Sequence, residues 1–159
     1  MTHYDVVSLN FVPIFCNVFV RCYDPLVFEV RLQTYWPDVD AAGIVYYPHF
    51  FRFVEHAEEE LFRAAGKEMH SLMTELGLWM PRVEVFSKFS KPIQRGMAIR
   101  VRLTPELRGQ KAIRYNFEIV DDAGSERLAA GYVTVVCVDP EQFRATPIPD
   151  AIRTVIQNA

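Results

Sequence analysis

Cysteine, excess charge of either sign and long apolar runs are all scarce in this chain of 159 residues. Its three cysteines include no Cys-x-x-Cys pair, which argues against a disulfide framework and favours a reducing, cytoplasmic compartment. Cys137 ends an apolar run and is predicted to be a small buried thiol. The formal net charge of −3 offers no basic excess for nucleic acid or an anionic membrane. Half of the residues are hydrophobic, so we expect one globular domain rather than a disordered chain.

Several catalytic signatures are missing as well. No Gly-x-Ser-x-Gly occurs, so the triad of an α/β-hydrolase is not indicated. Neither a phosphate-binding Walker loop nor a dinucleotide fingerprint is present. His56 and Glu59 lie one helical turn apart, but nothing elsewhere supplies a matching set of ligands. We therefore predict no metal site.

Residues 1–25 form an N-terminal extension for which several interpretations stay open: a covering segment, an extra strand or an upstream translation start. The apolar run at 9–20 is shorter than the roughly 20 residues of a membrane span, and Pro13 interrupts it. Asp5 before this run and Arg21 after it do not fit a signal peptide. We predict no membrane span.

Residues 26–159 are predicted to form the main domain, of α+β class. Apolar side chains at helical spacing indicate a long helix over 48–65, and a second short helix is expected over 67–76. After Pro81 the apolar period changes to two, which is typical of strands. The predicted strands cover 27–35, 83–90, 98–103, 112–121 and 128–138, and a last short helix begins near 149.

The stretch from Trp36 to Phe50 carries the most chemical information. Asp38 and Asp40 precede a turn at Gly43, and Pro48 suits the first turn of a helix. If the strand extends through Asp40, both carboxylates point to one face, roughly 7 Å apart. Asp38 fits a capping or bracing role in the turn better than a catalytic one. An acid beside the unpaired N–H groups of a helix start suits reactions at a carbonyl, because these groups stabilise an oxyanion.

The order Asp-x-Asp-Ala-Ala-Gly-Ile-Val-Tyr-Tyr-Pro, followed by an aromatic helix, resembles the 4-hydroxybenzoyl-CoA thioesterase-like branch of the hotdog superfamily, with its Tol–Pal-associated acyl-CoA thioesterases. The resemblance covers roughly residues 27–149. It implies an antiparallel sheet curled around one long helix, and a homodimer or homotetramer with active sites at the dimer interface. The implied reaction is hydrolysis of an acyl-CoA thioester to a carboxylic acid and coenzyme A. Coenzyme A is then part of the substrate, and no separate cofactor is expected.

The resemblance also implies roles for individual residues. The catalytic aspartate of the family falls on Asp40, acting either as nucleophile or as general base. The backbone N–H that polarises the thioester carbonyl falls on Tyr47. Candidates for substrate binding are Gly43, among the small residues that leave room for a substrate, His49 in the first helical turn, and Lys111 and Arg144 for the phosphates of coenzyme A.

Simpler interpretations stand beside these. Lys111 and Arg144 are about as well explained by a solvated charged face, and the acidic run Glu58–Glu60 is predicted to be exposed. Two other functions fit the same fold: a hydroxyacyl dehydratase, whose usual His–acid pair is not found in this sequence, and a non-catalytic module that binds acyl-CoA.

Overall fold

The computed structural model describes residues 27–159, in which a five-stranded antiparallel sheet packs against one long helix. The strand order is β1-β3-β4-β5-β2. The strands are β1 (Phe28–Gln33), β2 (Arg82–Phe89), β3 (Ala98–Arg108), β4 (Ala112–Asp121) and β5 (Arg127–Val136). This architecture confirms the predicted α+β class. The extension predicted for residues 1–25 lies outside the described residues.

Three helices and a short two-stranded sheet, formed by β6 (Val138–Asp139) and β7 (Arg144–Ala145), complete the described part of the chain. The helices are α1 (Tyr47–Ala64), α2 (Met69–Glu75) and α3 (Asp150–Gln157). Helix α1 begins one residue before the predicted start, and Pro48 is accepted there because N–H groups of the first turn have no intrahelical acceptor. Among residues 27–159, no helix is both long enough and apolar enough to cross a membrane.

Four of the five strands end at other residues than predicted: β2 ends one residue early and β5 two residues early, and β1 and β3 differ as follows. β1 stops at Gln33 rather than at residue 35, because the chain enters a 3-10 turn at Trp36–Asp38. β3 continues from the predicted end at 103 to Arg108. Within residues 27–159 the register of β1 against β3 ends at Leu103, so no strand in this part of the chain needs an N–H of Pro105 at that edge.

The core lies between α1 and the inward face of the sheet. Alternate residues of β3 and β4 are almost completely buried, as the period of two predicted: Ile99, Val101, Leu103, Ile113, Tyr115, Phe117 and Ile119. Helix α1 adds Phe50, Phe53, Val54, Ala57, Leu61 and Phe62. The thiol of Cys137 is buried as predicted, and burial raises its pKa to about 11.

The prediction that the acidic run Glu58–Glu60 is exposed was wrong for two of its three residues. Glu58 is 1% exposed and Glu60 is 8% exposed, whereas Glu59 faces solvent. Three consecutive helical residues span about 200° around the axis, so an enclosed helix necessarily turns some of them inward. Glu58 pairs with Arg82 at 3.0 Å, and Glu60 pairs with Arg63.

The two ends of the sheet serve to locate the site residues. We call the end marked by Gln33, Phe89 and Ala98 the upper end, and the end marked by Arg82 and Arg108 the lower end. The 11 residues of β3 run from one to the other, a distance of about 35 Å at 3.3 Å per residue. The Val45 N–H donates to the Ile93 carbonyl at 2.8 Å, which fixes the segment before α1 at the upper end.

Candidate active site

A small hairpin connects β1 to α1 and carries the predicted catalytic residues. Val39 and Val45 form an antiparallel bridge, and the Asp40 N–H donates to the Ile44 carbonyl at 2.9 Å. The turn closes through Gly43, whose N–H donates to the Asp40 carbonyl at 3.0 Å. Gly43 has φ of 77°, a left-handed conformation that side chains with a Cβ disfavour. Gly43 therefore shapes the loop through its backbone.

Asp38 braces this hairpin, as its position in the sequence predicted. Its side chain is nearly fully buried, accepts a hydrogen bond from the Tyr35 N–H at 2.7 Å and forms an ion pair with Arg52. Its carbonyl accepts the Tyr46 N–H at 2.9 Å. Loss of the Tyr35 N–H or of the Arg52 guanidinium as a partner would leave the buried carboxylate poorly compensated. We therefore interpret Asp38 as a residue that holds the loop in place.

Asp40 has a different environment. Its side chain is exposed, and its Oδ1 accepts the Ala42 N–H at 2.8 Å. The condition under which the two carboxylates would share one face, a strand that extends through both, is not met, because Asp38 ends a 3-10 turn. Of these two aspartates, Asp40 presents its carboxylate to solvent beside the start of α1, whereas Asp38 is buried.

Helix α1 begins at Tyr47 without a capping side chain, and among residues 27–159 the Tyr47 N–H has no acceptor. Pro48 has no N–H, so Tyr47 supplies the donor nearest to the hairpin. The positive end of the helix dipole adds to the attraction that this donor exerts on a developing negative charge. The Tyr47 side chain is 59% exposed and lies edge-on to Tyr46.

His49 is half-buried in the first turn of α1. Its Nδ1 lies 2.9 Å from the Asp38 carbonyl, which accepts a hydrogen bond from the Nδ1–H tautomer. This contact orients the ring and leaves Nε2 as the other polar atom of the imidazole. Asp40, Gly43, Tyr47 and His49 are thus brought together at one end of the sheet.

Lys111 and Arg144 lie elsewhere. Lys111 occupies the turn between β3 and β4 at the lower end, and its Nζ donates to the Ala145 carbonyl at 2.8 Å. Arg144 is in β7, beside that carbonyl. Both are exposed, and they adjoin each other, but the length of β3 separates them from Asp40 within one chain.

Arg52 and Phe89 belong to the surroundings of the site, although the sequence did not single them out. Arg52 reaches Asp38 from the second turn of α1, and Phe89 packs on Phe50 with ring centroids 4.6 Å apart. The sequence could have indicated Arg52 through its position, about one helical turn after the point where the Asp-x-Asp segment leads into α1. Phe89 had no local signal, because its contact depends on how β2 lies against α1.

Comparison with known proteins identifies the family. Residues 34–156 match a family model described as "Thioesterase-like superfamily". The chain belongs to this superfamily. A 1,4-dihydroxy-2-naphthoyl-CoA hydrolase of Thermosynechococcus vestitus is 26% identical over 131 residues, covering 82% of this chain and 89% of that protein. The acyl-CoA thioester hydrolase YbgC of Escherichia coli O157:H7 is 27% identical over 127 residues, covering 79% and 92%.

A solved structure has a fold similar to that of this chain. Slr0204, a 1,4-dihydroxy-2-naphthoyl-CoA thioesterase from Synechocystis, superimposes with a TM-score of 0.77 at 23% identity, covering 82% of this chain and 95% of that one. The predicted family, the hotdog fold and the enzyme class of thioester hydrolase are thereby confirmed. The roles of the individual site residues stay predictions.

Proposed function

We propose that this chain hydrolyses an acyl-CoA thioester, with Asp40 as the catalytic carboxylate and the Tyr47 backbone N–H as the donor to the thioester carbonyl. One observation carries the proposal: a solvent-facing carboxylate and an uncapped helix start belong to one hairpin that Asp38 holds rigid. The names of the relatives, a naphthoyl-CoA hydrolase and an acyl-CoA thioester hydrolase, support the choice of substrate class. No cofactor enters the reaction, since coenzyme A is the leaving group.

The chemistry follows from this geometry. The Tyr47 N–H and the α1 dipole stabilise the oxyanion that forms when the thioester carbonyl is attacked. Asp40 either attacks the carbonyl carbon itself, expelling the thiolate and forming an anhydride that water cleaves, or removes a proton from the attacking water. Both routes yield a carboxylic acid and free coenzyme A. Gly43 and His49 are proposed to border the acyl group.

Strand β2 supports the proposal of a homodimer, which is also the unit of a homotetramer. One edge of β2 pairs with β5, and among residues 27–159 no strand pairs with the other edge. Its apolar side chains are unusually exposed, at 45–59%: Val83, Val85, Phe86 and Phe89. An open, apolar edge strand favours pairing with another strand. We propose that two copies join their β2 strands antiparallel into one continuous sheet.

This pairing has a consequence for the substrate. A two-fold axis near the middle of β2 sets the Arg82 end of one strand beside the Phe89 end of the other. The upper end of one sheet then adjoins the lower end of the other. Lys111 and Arg144 of the partner subunit would thereby approach the side of the molecule that holds Asp40. We propose that they hold the phosphates of a coenzyme A whose thioester lies at Asp40.

Substitution of Asp40 provides the test. Purified protein is assayed with a thiol-trapping reagent and a small panel of acyl-CoA substrates. Asp40→Asn should retain the melting temperature and substrate binding while lowering kcat by a few orders of magnitude. Asp150→Asn is a matched control, because Asp150 is also an exposed aspartate at a helix start. Near-normal hydrolysis by Asp40→Asn would refute the assignment, and binding without hydrolysis by the wild type would favour the binding module.

A further inference from the structure

An exposed aromatic pair lies at the lower end of the sheet and plays no part in the site described above. Trp79 and Phe143 pack edge to face with ring centroids 6.4 Å apart. They are 54% and 72% exposed, so most of both rings faces solvent. Trp79 is held by two backbone hydrogen bonds with Val138, of 2.8 and 2.9 Å. The pair therefore forms an exposed apolar surface that is separate from the hydrophobic core.

Phe143 occupies a costly backbone conformation. Its φ of 50° is the one positive value at a residue other than glycine within 27–159. A bulky residue in this left-handed region is a genuine outlier, and such outliers cluster at functional sites. The turn is over-determined by Asp139, whose Oδ1 accepts the N–H groups of Glu141 and Gln142 at 2.8 and 3.1 Å. Glycine would fit the turn better, so the fold carries an exposed aromatic ring where stability alone disfavours it.

Two cations stand beside this pair. Arg144 follows Phe143 directly, and within the described residues it has no acidic partner at ion-pair distance. Lys111 donates to the carbonyl of Ala145, the next residue along β7. Exposed aromatic rings next to exposed cations match a ligand that joins a heteroaromatic ring to phosphates.

We propose that Trp79 and Phe143 form a platform for the adenine ring of coenzyme A, which stacks on the face of Phe143 and meets Trp79 at an angle, with Lys111 and Arg144 contacting its phosphates. This inference rests on the proposed hydrolysis of acyl-CoA and deepens it, because it assigns a place to the nucleotide end of the substrate. Trp79 lies three residues before β2. In the proposed dimer the platform therefore serves the thioester site of the other subunit.

Calorimetric titration of the full chain tests the platform without any hydrolysis. The probes are adenosine 3′,5′-bisphosphate, which carries the base, and inorganic pyrophosphate, which lacks it. Phe143→Gly should weaken binding of the bisphosphate about tenfold, the effect of losing one stacking partner, and leave pyrophosphate binding unchanged. The same variant should melt at or above the wild-type temperature, because glycine relieves the backbone strain.

Matched variants make the outcome decisive. Gln142→Gly loosens the same turn without removing a ring and should bind both probes like the wild type. Lys111→Ala should weaken both probes. Absence of bisphosphate binding by the wild type, or equal effects of Phe143→Gly on both probes, would overturn the platform. An enzyme that hydrolyses acyl-CoA while Phe143→Gly binds the bisphosphate normally would overturn this inference and leave the proposed function intact.

Discussion

Glu58 supports a quantitative prediction, because its carboxyl group is buried and its hydrogen-bonding capacity is only partly satisfied. Its Oε2 accepts from Arg82 at 3.0 Å, while its Oε1 and the hydroxyl of buried Tyr115 have no hydrogen-bond partner among residues 27–159. Burial raises the pKa of Glu58 from its ordinary 4.5 to about 8, with Arg82 opposing and Glu55 and Glu59 reinforcing the rise. The folded protein therefore holds a proton on Glu58 at neutral pH.

The sign of the pH dependence follows directly. The folded state binds one proton more than the unfolded state between the two pKa values, so the free energy of unfolding falls as pH rises through that interval. Each pH unit costs about 1.4 kcal/mol. Raising the pH from 6 to 9 should therefore lower the stability of the wild type by roughly 3 kcal/mol through this group alone.

Glu58→Gln removes the titrating proton and keeps the size of the side chain and an acceptor for Arg82. We expect urea denaturation, followed by circular dichroism from pH 6 to 9, to show a flatter pH dependence in this variant. Its stability relative to the wild type should increase by roughly 3 kcal/mol over that range. Glu59→Gln, a change at the exposed neighbour, should keep the shape of the wild-type curve and displace it slightly to lower pH, because the charge of Glu59 helps to raise the pKa of Glu58. Parallel curves for Glu58→Gln and the wild type would refute the reasoning.

Two further predictions concern the loop and the assembly. Asp38→Asn should lower the free energy of unfolding by about 2 kcal/mol, since it weakens the buried contacts to Tyr35 and Arg52; a thermal melt that equals that of Asp40→Asn would contradict the bracing role. Val85→Glu should convert a dimer to monomers in sedimentation velocity experiments, because it sets like charges near the middle of the joined β2 strands; an unchanged sedimentation coefficient would argue against pairing through β2.

The elements that depend on local pattern could be predicted from the sequence. The period of two in β3 and β4 identifies the buried face, because successive side chains of a strand point to opposite sides. The hairpin from Asp38 to Tyr47 is likewise local, so the order of its residues was enough to place a carboxylate beside a helix start. In such segments a few consecutive peptide units determine the geometry.

Contacts between distant segments were decided only by the tertiary structure. Whether Glu58 meets water or Arg82 depends on how β2 lies against α1, which no helical period encodes. The separation of Lys111 from Asp40 follows from the length and direction of β3, and the contact of Trp79 with Phe143 follows from the pairing of Val138 with Trp79. Burial and proximity are properties of the assembled sheet, so they arise when strands far apart in the chain become neighbours.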